Sequence, residues 1–131
     1  MEMFPLHITA MYAAVLGIML VPISIRITIL RARTKIMFFD GGNEQLGRAI
    51  RVQGNFTEYV PMAIILMGLV EWIGAPGMGL HALGGGLLAG RLIHAWGLYS
   101  HHDLGRATGA TISWIVIGVA ALWLLYLGNM A

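Results

Sequence analysis

The sequence has 131 residues, 58% of them hydrophobic and 11% charged, with a formal charge of +2 at pH 7 and a mean hydropathy of +0.78. A soluble domain carries roughly 25% charged residues, so this chain cannot clothe itself in water, and its small net charge gives no argument for a nucleic-acid partner. It has no cysteine, which excludes disulfides, thiolate metal sites and a protein thiol nucleophile.

A bilayer core of ~30 Å takes about 20 apolar residues in a helix, and on that measure four spans are expected, at about residues 3–30, 47–73, 80–100 and 107–128. In span one, Met3 to Ile25 contains no Asp, Glu, Lys or Arg. It reads as a retained anchor rather than a cleaved signal, because it is long, lacks a leading basic region and is followed by Arg26, Arg31, Arg33 and Lys35. Asp40-Gly41-Gly42-Asn43 then marks a turn. Span two belongs to one long helix from Glu44 to Ile73, polar in its first half and apolar or small from Tyr59 to Val70. Glu71 is expected as an interfacial charge. After the turn at Gly74-Ala75-Pro76-Gly77, span three carries Gly84, Gly85, Gly86 and Gly90, small residues that let membrane helices approach closely. Span four, from Ala107 onward, is again uncharged. Pro22 and Pro61 lie inside spans and should bend them. The fold class is therefore an all-α integral membrane four-helix bundle, a single domain over residues 1–131, without internal repeat or linker.

Basic residues fix the expected orientation. Arg31, Arg33 and Lys35 lie in loop one, Arg48 and Arg51 follow it, and Arg106 borders loop three, whereas loop two is uncharged. Loops one and three are expected to face the cytoplasm, with Trp72, Trp123 and Tyr126 at the far interface.

Polar residues in the spans carry the functional signal. At 100° per residue, Arg48, Arg51, Asn55 and Glu58 share a wedge of roughly 80°. Glu58 lies about 21 Å from Trp72 at 1.5 Å per residue, inside the hydrocarbon region, where a charge costs ~2.5–3.5 kcal/mol even on the gentler insertion scale. It should face other helices and find a cation. Arg91, His94 and Leu98 fall within about 60° of one another, while Tyr99 is displaced from Arg91 by roughly 80°. Arg26 is a further cation near the end of span one. Such a cluster either locks helices together or, with its excess of arginines, holds an anion by paired hydrogen bonds. His101 and His102 are adjacent but have no convincing metal partners, so no metal is expected. The glycines of span three lack phosphate-loop spacing.

The run Arg51-x-x-x-Asn55-x-x-Glu58-Tyr59-x-Pro61 resembles the signature of the MAPEG family, the membrane-associated proteins in eicosanoid and glutathione metabolism. Arg91-Leu92-Ile93-His94-Ala95-Trp96-Gly97 resembles that family's third-helix motif, and Gly54 to Pro61 looks most like its prokaryotic branch. The resemblance implies a homotrimer in a bacterial inner membrane, with glutathione between neighbouring subunits and open to the cytoplasm. It implies that Arg51, Asn55, Glu58 and Tyr59 hold the glutathione backbone and that Arg91 and His94 form the third-helix polar pair. Arg26 would bind a carboxylate, and Arg106 would face the sulfur as the catalytic residue. The second substrate would be an apolar electrophile or lipid hydroperoxide arriving from the bilayer. The chain departs from the eukaryotic catalytic members in carrying Leu98 where they have tyrosine, and Arg106 matches only across a one-residue gap. The competing readings are a non-catalytic lipid-binding or scaffold protein of the same fold and a small transporter. The paired broken helices and repeats that mark transporters are missing.

Overall fold

The computed structural model describes residues 5–130 and consists of four helices: α1 (His7–Thr34), α2 (Glu44–Trp72), α3 (Gly77–Tyr99) and α4 (Asp103–Met130). The expected start of span one at Met3 lies outside the described residues. The helices overrun the apolar stretches, mostly toward loops one and three. α1 continues four residues past Leu30 before Lys35 adopts φ 60° and donates its N–H to Arg31 O (2.9 Å), the left-handed cap that ends a helix. α2 starts at Glu44 because the Asn43 side chain accepts the Leu46 N–H (2.9 Å). Asp40 in turn accepts from Gly42 N through its side chain and from Asn43 N through its carbonyl, so the expected loop-one turn is present. At loop three, the His102 imidazole accepts the Gly105 N–H (3.0 Å) and lies against the Trp96 ring. Pro22 and Pro61 are accommodated inside α1 and α2.

The central core joins all four helices through Leu16, Val52, Phe56, Ala63, Met67, Leu87, Val116 and Ala120, with smaller clusters at each end. Large apolar side chains also cover the outer faces, among them Ile18, Val21, Ile65, Ile115, Leu122 and Leu125. In water such a surface would drive association, whereas in lipid it is the ordinary exterior. α1 and α4 are long and apolar enough to cross a membrane by length and composition.

The closest helix pair is α3 with α4, and glycine makes it so. A Cβ on Gly97 would run into the backbone of Gly105 and Arg106, and one on Gly109 into the backbone of His94 and Gly90. Backbones therefore meet where side chains normally intervene. α1 packs on α2 and α3 instead, with no close backbone approach to α4 among the described residues.

At the far end of the bundle Glu71, expected as an interfacial charge, is also buried within the protein (8% exposed), and its carboxylate accepts the backbone N–H groups of Ile8 (2.9 Å) and Thr9 (2.8 Å). The first turn of α1 has unpaired N–H donors and a positive end. α2 supplies the anion that α1 lacks.

Candidate functional site

Three helices bring polar side chains to one cavity of about 420 Å³ between α2, α3 and α4. α2 contributes Arg51, Asn55 and Tyr59, one helical turn apart; α3 contributes His94 and Leu98; α4 contributes Arg106, Ala107, Ala110, Thr111 and Trp114. Tyr59 meets Trp114 edge to face at 6.3 Å, closing one wall. A shallower hollow of about 380 Å³ shares Arg51, Leu98 and Arg106 with this cavity and extends to Asp40, Glu44 and Asp103. The polar cavity thus communicates with the end of the bundle that carries loops one and three.

Behind the cavity lies a fixed polar layer. Arg91 is 2% exposed. One guanidinium nitrogen donates to Asn55 Oδ1 (2.5 Å) and another to the Gly109 carbonyl (2.9 Å). Gly109 O also accepts from the Ser113 hydroxyl (3.2 Å). The Arg91 contact falls at the glycine packing described above, where no side chain at position 109 stands between the α4 backbone and α3. Arg91, read from the sequence as a ligand residue, here lies behind the cavity and orients Asn55, which does line it.

The cavity's own cations stand differently. The Arg51 and Arg106 side chains are 59% and 51% exposed. Arg51 lies 3.4 Å from Glu58 and Arg106 lies 3.7 Å from Asp103. Glu58 has found the expected cation but not the expected cover: it is half exposed on the surface of the single chain. The reason is rotational, since α3 and α4 cover the Asn55 and Val52 side of α2 and leave the Arg51–Glu58 edge open.

The remaining predicted residue, Arg26, is not with the others. Its guanidinium lies 4.5 Å over the Tyr99 ring, and it lines a separate pocket with Asn43, Glu44, Gln45, Arg48 and His101. Tyr99 accordingly points away from the polar cavity, as its helical angle predicts, and Leu98 occupies the cavity-facing position. The fourth-helix wall of Ala110, Thr111 and Trp114 was not foreseen. The spacing Gly105-x-x-x-Gly109 could have revealed it, because it marks the α4 face that must lie against a neighbour.

In comparisons with known proteins, the sequence model of the MAPEG family matches residues 9–126. The inner membrane protein YecN of Escherichia coli (strain K12) is 36% identical over 123 residues, which cover 94% of this chain and 90% of that protein. YecN of Escherichia coli O6:H1 is similar to the same extent.

Proposed function

This chain belongs to the MAPEG family of membrane proteins, and from that premise we propose that it is a glutathione-dependent transferase or peroxidase of a bacterial inner membrane. The observation that carries the reading is the convergence of Arg51, Asn55, Tyr59, His94 and Arg106 on one cavity, whose volume lies within the ~300–1,000 Å³ typical of small-molecule sites. Glutathione carries two carboxylates, an α-amino group and a thiol. The donor set matches that inventory: two partly exposed guanidiniums, an amide held in orientation by Arg91, and a carboxylate beside Arg51.

Arg51 pairs with a carboxylate, Glu58 accepts from the α-amino group, and Asn55 and Tyr59 hold the peptide. Bound glutathione supplies the nucleophile, since a thiol of pKa near 8.5 reacts as its thiolate. Arg106 favours that anion by charge pairing. The protein otherwise contributes position, which suits a chain without cysteine. The second substrate is an apolar electrophile or lipid hydroperoxide that enters from the bilayer.

Assembly as a homotrimer with four spans per chain completes the proposal. An exposed Arg51–Glu58 pair at hydrocarbon depth needs cover, and Arg26 lies on another face of the chain, from which it meets such a ligand when supplied by a neighbouring copy. Loops one and three, with their basic residues, face the cytoplasm.

Glutathione added to the purified protein should produce thiolate absorbance at neutral pH that Arg106→Ala abolishes, and should raise Tm by mass action, by an equivalent of about 2.7 kcal/mol at 100 times Kd. Absence of a thiolate signal rejects the catalytic reading. The alternative, a lipid-binding or scaffold protein of the same fold, is favoured by one observation: leucine at position 98 lines the cavity. On that alternative, saturating glutathione leaves Tm unchanged.

A further inference from the structure

Loop one contains four consecutive apolar residues, Ile36-Met37-Phe38-Phe39, between the basic end of α1 and the acidic turn at Asp40. Ile36 is partly buried against the bundle, but Met37, Phe38 and Phe39 are 70%, 81% and 87% exposed. A run of large exposed apolar side chains is a defect unless something covers it.

The loop is held in shape. Arg31 donates to the carbonyls of both Ile36 (3.1 Å) and Phe39 (2.9 Å). Phe39 sits at φ 52°, a left-handed conformation that a bulky residue adopts only when its surroundings impose it. The apolar tip is therefore presented deliberately.

Its level follows from helix length. The 28 residues of α1 span about 42 Å at 1.5 Å per residue, close to the ~40–45 Å of a bilayer with its headgroups. Loop one thus lies at the headgroup layer. Arg33 and Lys35 are exposed there, and among the described residues neither has a carboxylate within ion-pair distance.

We infer that loop one is an interfacial wedge, with Met37, Phe38 and Phe39 inserted among lipids beside the bundle and Arg33 and Lys35 bound to anionic phospholipid headgroups. Apolar side chains flanked by cations are what such a surface takes up. A second copy meeting this loop through its own loop one would bring Arg33 and Lys35 against their like, which disfavours that contact. A neighbour covering the loop with another face would protect it from lipid and water alike, an outcome the test below distinguishes.

The absence of cysteine makes the test direct. Phe38→Cys, and Met37→Cys as an independent site, are labelled with bimane in the full chain in vesicles of phosphatidylcholine with phosphatidylglycerol. Doxyl-labelled lipid should quench the label while aqueous iodide does not. Doxyl phosphatidylglycerol should quench at lower mole fraction than doxyl phosphatidylcholine, and this preference should fall roughly fivefold for each cation removed in Arg33→Gln and Lys35→Gln. Quenching by iodide alone means that the loop faces water and overturns the inference. Protection from both quenchers means that protein covers it and does the same. Lipid quenching without anionic preference overturns the headgroup contact.

Discussion

Two polar regions lie side by side on α2 and differ in kind. Around Arg91 the guanidinium is sealed within the chain, with Asn55 and the Gly109 carbonyl as partners. Along the Arg51–Glu58 edge, charges at similar membrane depth are half open. The first region has two of its guanidinium nitrogens satisfied within one chain and lies behind the cavity, which gives Arg91 a structural part there; its Nε is buried without a partner. The second is an open charged edge of the single chain, which the proposed glutathione and neighbouring subunit would cover.

The comparison breaks most readily at its foundation. Gly109→Leu places a side chain against backbone that cannot turn aside and should cost at least about 3 kcal/mol, the upper range for overpacking. Gly118 on the same helix has open space around its Cβ position, so Gly118→Ala should be neutral or slightly stabilising. Thermal unfolding of the two variants in detergent reads the contrast.

Next in size is Arg91→Met, which leaves Asn55 Oδ1 without its donor and takes one of two side-chain donors from Gly109 O, and should cost about 2–3 kcal/mol. If Arg91 is structural, Tm falls with or without glutathione. A variant that keeps its Tm but loses binding would move Arg91 into the ligand's contacts. Glu71→Gln comes third. The amide can still accept one N–H of α1 but loses the charge at the helix end, so a loss of about 1 kcal/mol is expected, read as a lower Tm. Arg51→Gln takes the cation from Glu58 and should lower Tm by more than Arg106→Ala does. Smallest in the ligand-free protein is Arg106→Ala, a half-exposed side chain beside Asp103, where surface changes lie within about 0.5 kcal/mol. Both variants should lose the Tm rise that glutathione gives the parent chain. Unchanged ligand stabilisation in Arg51→Gln would remove that residue from the site.

Much of this arrangement is legible in the sequence. Lipid demands long uncharged stretches, and helical angles place Asn55 with Arg51 and separate Leu98 from Tyr99, as the cavity does. Periodicity states which residues share a face but not what covers it. Hence Glu58 was expected inside and lies at an open edge, and Arg91 was expected toward a ligand and points to Gly109. Arg26 is expected at the ligand from its charge and from the family resemblance; within a single chain it lies over an aromatic ring, on a face away from the cavity. Glu71 escaped sequence reasoning for a different reason: its partners are backbone N–H groups more than 60 residues away, and backbone donors leave no mark in a sequence.

The Glu71 clasp also acts as a vertical gauge. A slip of α1 by one turn would shift it about 5.4 Å along its axis and leave both grasped amides out of reach. The elevation of the opposite tip, with its three protruding apolar side chains, is thereby set from the far side of the bilayer.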